Sequence, residues 1–140
     1  MTVSNSDGPE ATEALGRRLA SGLEAGDVVL VAGDLGSGKT TLIRGAVQAL
    51  GITEPVTSPT FTIGRRYREP VDVSHLDLYR LGDPEAEDPA LLDDYLTPDA
   101  IVFIEWPEAA GALLERDGLR IAARVQMRHA GGDRREIRIN

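Results

Sequence analysis

Cysteine is absent from this sequence of 140 residues, and only two histidines are present, His75 and His129. The chain therefore cannot form a disulfide, an iron–sulfur cluster, a thiolate zinc site or a histidine-rich metal site. It has no basic start followed by an apolar run, and no apolar stretch approaches the roughly 18 residues that a membrane span needs. We therefore expect a cytoplasmic protein with one domain, residues 1–140, whose residues 1–8 are frayed.

Basic side chains are missing from one long stretch. Residues 81–115 contain ten acidic residues and no lysine or arginine, and the net charge of the chain is −8. An acidic face repels nucleic acid, whose binding depends on neutralising phosphates, so direct nucleic-acid binding should not dominate and a role in nucleic-acid metabolism would run through a protein partner. A solvated helix face is the simpler interpretation of the same stretch.

Hydrophobic periodicity predicts alternating helices and strands. Helices are predicted over 10–24, 40–50 and 84–96, and strands over 28–32, 61–67, 71–78, 100–104, 119–127 and 135–139. The runs 28–32 and 100–104 are continuously apolar, which is typical of strands buried on both faces. The last two strands are predicted to form a hairpin around Gly131 and Gly132.

A glycine-rich loop lies between strand 28–32 and helix 40–50. Gly33, Gly38, Lys39 and Thr40 match G-x-x-x-x-G-K-[ST], in the strand, loop, helix order in which this pattern binds phosphate. The backbone N–H groups would surround a phosphate, Lys39 would reach β- and γ-oxygens, and the Thr40 hydroxyl would bind Mg²⁺. The candidate nucleotide-binding residues here are Asp34, Leu35, Gly36, Ser37, Gly38, Lys39, Thr40 and Thr41.

This loop predicts an α/β fold of the P-loop NTPase type, a three-layer sandwich with a mixed, mostly parallel sheet and helices on both faces. The expected ligands are ATP and Mg²⁺. Lys39 is the only lysine among fifteen basic residues, and genomic base bias does not explain its position in the loop. A glycine turn that binds nothing is the alternative. No N-K-x-D segment for reading a guanine base is present, which disfavours a GTPase.

Two carboxylates are candidates for catalysis. Glu105 ends the apolar run 101–104, and if that strand is parallel to 28–32, Glu105 would face Thr40 across a metal ion. An ordinary strand-end or helix-capping carboxylate is the alternative. Asp77 lies on the same predicted strand face as His75 and could hold a metal-bound or attacking water, or it could simply face solvent or pair with Arg80.

Other polar and aromatic residues carry weaker signals. Ser58, Pro59 and Thr60 lie where a mobile loop could close over a γ-phosphate, although an inert turn fits equally well. A lone His75 is more often a packed sheet residue than a base, and Trp106 is more often part of a core or rim than a stacking platform.

Four segments together resemble one family. GDLGSGKTT (33–41), SPTFT (58–62), HLDLYRL (75–81) and IEWPE (104–108), in this order, resemble the TsaE family, the ATPases of bacterial tRNA threonylcarbamoyladenosine biosynthesis. The resemblance covers residues 11–109, whereas residues after Ala110 carry little family signal and are assigned no function. The sequence departs from the family pattern at Leu76, where an aromatic residue is common.

The resemblance implies a P-loop fold, ATP hydrolysis and action with the TsaB–TsaD pair. It implies that Thr40 and Glu105 bind Mg²⁺, that Asp77 is a catalytic or metal-associated carboxylate, and that residues 58–62 form a switch-like loop. It also implies that Thr12 lies near the adenine. An ATP-dependent docking module without catalysis remains an alternative. A small-molecule kinase is a further alternative, but it needs lid arginines, and the segment after Arg80 is acidic.

Overall fold

The structure, a computed structural model, describes residues 1–58, 63–79, 81, 89–115 and 118–140. Two α-helices are described, α1 (Pro9–Ala20) and α2 (Lys39–Ala49). Short 3₁₀ segments span Pro89–Leu92 and Pro107–Leu114, and the second is interrupted by a kink at Gly111. The described strands are β1 (Thr2–Ser6), β2 (Asp27–Gly33), β3 (Gly64–Tyr67), β4 (Val73–Asp77), β5 (Ile101–Glu105), β6 (Arg120–His129) and β7 (Arg135–Ile139).

All seven described strands form one sheet in the order β1-β7-β6-β2-β5-β4-β3. The four central strands β6, β2, β5 and β4 are parallel to one another, and antiparallel strands extend the sheet on both sides. The prediction of a mixed α/β sheet is therefore confirmed, as is the hairpin of β6 and β7. The central position of β2 and β5 explains why their sequences are apolar on both faces.

Each face of the sheet has its own apolar core. The helices α1 and α2 cover one face, where Leu42 and Ile43 belong to the same buried cluster as Val29 and Phe103 of the sheet. The 3₁₀ helices lie over the other face, where Leu92 is completely buried. The two layers hold the central strands in place from both sides, so the loops that follow their carboxyl ends begin from fixed positions.

The first residues differ from the sequence-based expectation. Residues 2–6 form the edge strand β1, which pairs residue by residue with β7, from Thr2 opposite Ile139 to Ser6 opposite Arg135. Ser6 is completely buried, and its hydroxyl lies 2.7 Å from the hydroxyl of Thr12. The segment TVSNS is too polar to show a strand pattern by itself, so its structure depends on hydrogen bonds to a strand at the far end of the chain.

The predicted helix over 84–96 also differs. Residues 84–88 lie outside the described residues, and the remainder contains only the 3₁₀ helix Pro89–Leu92 followed by turns. Pro89 falls in the interior of the predicted helix, where a proline disfavours a continuous α-helix, and the described 3₁₀ helix begins at this residue. Residues 61 and 62 of the predicted strand 61–67 are likewise undescribed. Within the described ranges, no helix is long and apolar enough to cross a membrane.

Candidate nucleotide-binding site

The candidate site lies where the parallel strands β2, β4 and β5 end. Strand β2 leads into the glycine-rich loop, while β5 ends at Glu105 and β4 ends at Asp77. In the sheet register, Glu105 lies between Val31 and Asp77. The carboxyl ends of parallel strands are where open α/β sheets bind ligands, so the predicted residues meet at the expected edge.

The glycine-rich loop has the backbone conformation of a phosphate cradle. Gly38 precedes α2 with a φ of 99°, a left-handed conformation that favours glycine. The backbone N–H groups of Leu35, Gly36 and Gly38 have no hydrogen-bond partner among the described residues. The Ser37 hydroxyl is buried and is also without a partner there. Unpaired donors beside a helix N-terminus suit an anion with several oxygens.

Lys39 is held inside this loop. Its Nζ donates hydrogen bonds of 2.8 Å to the carbonyl oxygens of Gly33 and Asp34, and it lies 4.3 Å from the centre of the Trp106 ring. Burial lowers the pKa of the ammonium group, while the nearby carboxylates of Glu105 and Asp77 act in the opposite direction. The ammonium group therefore lies between loop carbonyls and an indole ring, close to the cradle.

Glu105 is buried and bound from two sides. The Thr40 hydroxyl lies 3.0 Å from both of its carboxylate oxygens, and Nε2 of His75 lies 2.6 Å from Oε2. His75 is completely buried, and its Nδ1 has no partner among the described residues. Because a carboxylate accepts hydrogen bonds, we assign the proton to Nε2, which donates it to Glu105. His75 is therefore packed in the sheet and at the same time fixes the orientation of Glu105.

The Thr40 and Glu105 side chains fit a magnesium ion. Mg²⁺ prefers oxygen ligands and is commonly held by one or two protein groups together with substrate phosphates and water. A hydroxyl and a carboxylate converge here beside the phosphate cradle. Within the described part of the chain, no cluster of three or more His, Asp or Glu residues could hold a metal ion alone. The donor set therefore fits Mg²⁺ only when it is shared with phosphate oxygens.

Asp77 and Ser58 border the same site. The Oδ1 atom of Asp77 accepts a hydrogen bond of 3.0 Å from the Tyr79 N–H, and burial raises the pKa of the Asp77 carboxyl although that hydrogen bond opposes the increase. The Ser58 hydroxyl lies 2.7 Å from the Thr40 hydroxyl. The remaining residues of the predicted switch-like loop, 59–62 with Pro59 and Thr60 among them, are outside the described residues, as is Arg80.

Thr12 lies on α1 beside the loop rather than at an open surface. It is buried, its hydroxyl contacts Ser6, and its methyl group lies 3.8 Å from the position of a Cβ on Gly38. Leu35 is exposed at the outside of the loop, and Thr41 is in the first turn of α2. The predicted contact of Thr12 with adenine stays a prediction.

Two residues at the loop were missed by sequence reasoning. Nε2 of His129 lies 3.2 Å from the Leu35 carbonyl oxygen, and the Arg135 guanidinium donates to the carbonyls of Gly36 and Ser37 at 3.1 Å. Both residues belong to the hairpin of β6 and β7, far along the chain from the loop. No sequence pattern marks them, since their role follows from the position of β6 next to β2.

The fold and the loop together define a P-loop domain. The model of the family described as threonylcarbamoyl adenosine biosynthesis protein TsaE matches residues 6–137. The chain belongs to the TsaE family.

The comparisons with individual proteins agree with this assignment. A protein of Bacillus subtilis named tRNA threonylcarbamoyladenosine biosynthesis protein TsaE is 40% identical over 130 residues, covering 92% of this chain and 78% of that protein. A Streptomyces coelicolor protein of the same name is 46% identical over 112 residues, covering 76% of this chain and 74% of that protein. The crystal structure of Bacillus subtilis YdiB superimposes with a TM-score of 0.72 at 32% identity, covering 97% of this chain and 82% of that structure.

Proposed function

We propose that this chain is a Mg²⁺-dependent ATPase that acts in threonylcarbamoyladenosine modification of tRNA. The observation that carries the proposal is the contact of Thr40 with Glu105, 3.0 Å from hydroxyl to carboxylate, at the end of a loop with unpaired N–H groups. A buried carboxylate beside a P-loop threonine is the arrangement that binds the metal ion of a nucleotide. A glycine turn without a ligand would not need this carboxylate.

Different groups of the site would bind different parts of the nucleotide. The N–H groups of the loop and the helix N-terminus would hold the phosphates, and Lys39 would exchange its bonds to the Gly33 and Asp34 carbonyls for phosphate oxygens. Thr40 and Glu105 would hold Mg²⁺, with His75 keeping the carboxylate in position. A bound Mg²⁺ would neutralise charge that develops on the phosphates.

Asp77 is our candidate for activating water. ATP hydrolysis breaks the bond from the γ-phosphorus to the bridging oxygen and forms a bond from the water oxygen to the γ-phosphorus. The water must lose a proton, and we assign its acceptance to the Asp77 carboxylate, which lies beside Glu105 in the register. The raised pKa of Asp77 makes its carboxylate a stronger base than an exposed aspartate.

The pathway assignment rests on the family. The relatives named above act, by their names, in threonylcarbamoyladenosine biosynthesis. The net charge of −8 disfavours direct tRNA binding and supports action through protein partners resembling TsaB and TsaD. We propose the cytoplasm as the location, since the modification is made on tRNA. Hydrolysis would then reset this partner complex.

Replacing Lys39 with alanine is expected to weaken ATP binding about 50-fold, since it removes charge-assisted bonds to phosphate. Trp106 is the only tryptophan of the chain and lies 4.3 Å from Lys39 Nζ, so its fluorescence should change when Mg²⁺ and ATP are added to the wild type. A fluorescence titration gives the dissociation constant. Arg44→Gln is the control, because Arg44 is in the same helix but contacts Glu13 and the Val56 carbonyl instead.

The function is tested by phosphate release from the wild type, alone and mixed with a TsaB and TsaD pair. Turnover that increases with the pair and disappears in Lys39→Ala supports the partner-coupled ATPase. If ATP binds but is not hydrolysed in any mixture, the chain is an ATP-dependent docking module and not an ATPase. Absence of ATP binding by the wild type would refute both.

A further inference from the structure

The outer side of the glycine-rich loop is bound by the hairpin of β6 and β7. The Arg135 Nε and Nη2 atoms donate to the carbonyls of Ser37 and Gly36, each at 3.1 Å, and Nε2 of His129 lies 3.2 Å from the Leu35 carbonyl oxygen. Three successive carbonyls of the loop therefore have side-chain partners from the same hairpin. A carbonyl accepts hydrogen bonds, so both residues act as donors.

These contacts determine where the loop N–H groups point. A trans peptide group is planar, and its N–H points opposite to its C=O. Because Arg135 holds the Ser37 carbonyl, the N–H of Gly38 points away from Arg135. Because His129 holds the Leu35 carbonyl, the N–H of Gly36 points away from His129. These are N–H groups that have no partner among the described residues. Their direction matters because glycine peptides rotate more freely than others.

Arg135 is well suited to this task. Its Nη1 donates to the carbonyls of Gly132 and Arg134, at 2.8 and 2.9 Å, so the same planar group joins the hairpin turn to the loop. No carboxylate lies within ion-pair distance of it among the described residues. Its positive charge is therefore satisfied by loop and turn carbonyls. A lysine would preserve the charge but could not reproduce the fork of donors.

We propose that Arg135, assisted by His129, is a positioning residue that presets the phosphate-binding N–H groups of the loop for a di- or triphosphate. The proposal rests on the nucleotide binding proposed above and adds a role for the segment after Ala110. The donors of the Arg135 guanidinium are engaged by carbonyls of the loop and of the hairpin turn. Arg135 acts through the peptide groups of the loop, so its loss should weaken binding of the phosphate part of the ligand.

The test compares Arg135→Gln, Arg135→Lys and the control Arg138→Gln in the full chain. Arg138 is on the same strand but is exposed and bonds to Glu136. Calorimetric titration with ADP and with pyrophosphate should give dissociation constants about 10- to 50-fold higher for Arg135→Gln, with part of the affinity recovered in Arg135→Lys. Arg138→Gln should bind both probes like the wild type. Amide NMR resonances of Gly36 and Gly38 should move in Arg135→Gln but not in Arg138→Gln.

The outcomes separate this inference from the proposed function. If the wild type binds ADP and Arg135→Gln binds it within twofold at a temperature where both are folded, the inference is wrong and the proposed function stands. The same holds if Arg135→Gln loses thermal stability with unchanged affinity, since Arg135 would then only support the hairpin. If the wild type binds neither ADP nor ATP, both fail.

Discussion

Replacing Glu105 with glutamine is expected to lower ATP turnover about 300- to 1,000-fold and to leave ATP binding without Mg²⁺ nearly unchanged. Glutamine has the shape of glutamate and can still accept hydrogen bonds from Thr40 and His75, which lie 3.0 and 2.6 Å from the native carboxylate. It lacks the negative charge that holds a metal ion. The substitution should therefore lower the rate of the metal-dependent step without destabilising the fold.

Phosphate release measured over a range of Mg²⁺ concentrations checks this result, together with ATP titrations in the presence of a chelator. Asp99→Asn is the matched control, since it removes one negative charge just before the other end of β5 and is exposed. Glu105→Ala is a less clean variant, because it leaves His75 buried beside a cavity with its Nε2 unpaired. Turnover by Glu105→Gln within threefold of the wild type would remove Glu105 from the metal site.

The parts of the site that sequence predicts are those encoded locally. The pattern from Gly33 to Thr40 specifies its own turn and helix start, and the apolar runs before it and before Glu105 specify buried parallel strands. Since such strands end at one edge of a sheet, the meeting of Thr40 with Glu105 followed from pattern and topology together. Asp77 became a candidate through its alternation with His75, and the parallel pairing of β4 with β5 brings it to this edge.

The parts that sequence does not predict depend on distant pairing. Strand β1 has no apolar alternation, and it forms because β7 lies opposite every residue from Thr2 to Ser6 and exchanges backbone hydrogen bonds with alternate residues. Arg135 and His129 reach the loop because β6 lies beside β2, a neighbour relation that no local pattern encodes. The sequence also does not predict that His75 contacts Glu105. A buried strand histidine gives the same alternating pattern whether or not a carboxylate lies beside it.

The contact between α1 and α2 is another feature that only the structure reveals. A Cβ added to Gly16 would collide with the carbonyl oxygen of Leu42 and lie 2.9 Å from the Ala46 nitrogen. A Cβ added to Gly45 would collide with the Glu13 carbonyl oxygen. Each helix thus presents a glycine to the backbone of the other. Because α2 begins at the glycine-rich loop, this close contact also fixes the helix N-terminus at the candidate site.

Gly16→Ala is expected to destabilise the protein by about 3 kcal/mol, although alanine is intrinsically the better helix former by about 1 kcal/mol. The obstructing atoms belong to the backbone of α2, so they cannot rotate away and the helices must separate. Urea unfolding followed by circular dichroism gives the free energy. Gly22→Ala is the control, since nothing lies within 4 Å of its added Cβ, and it should change stability by at most about 0.5 kcal/mol. A Gly16→Ala protein as stable as the wild type would show that α1 and α2 do not approach this closely.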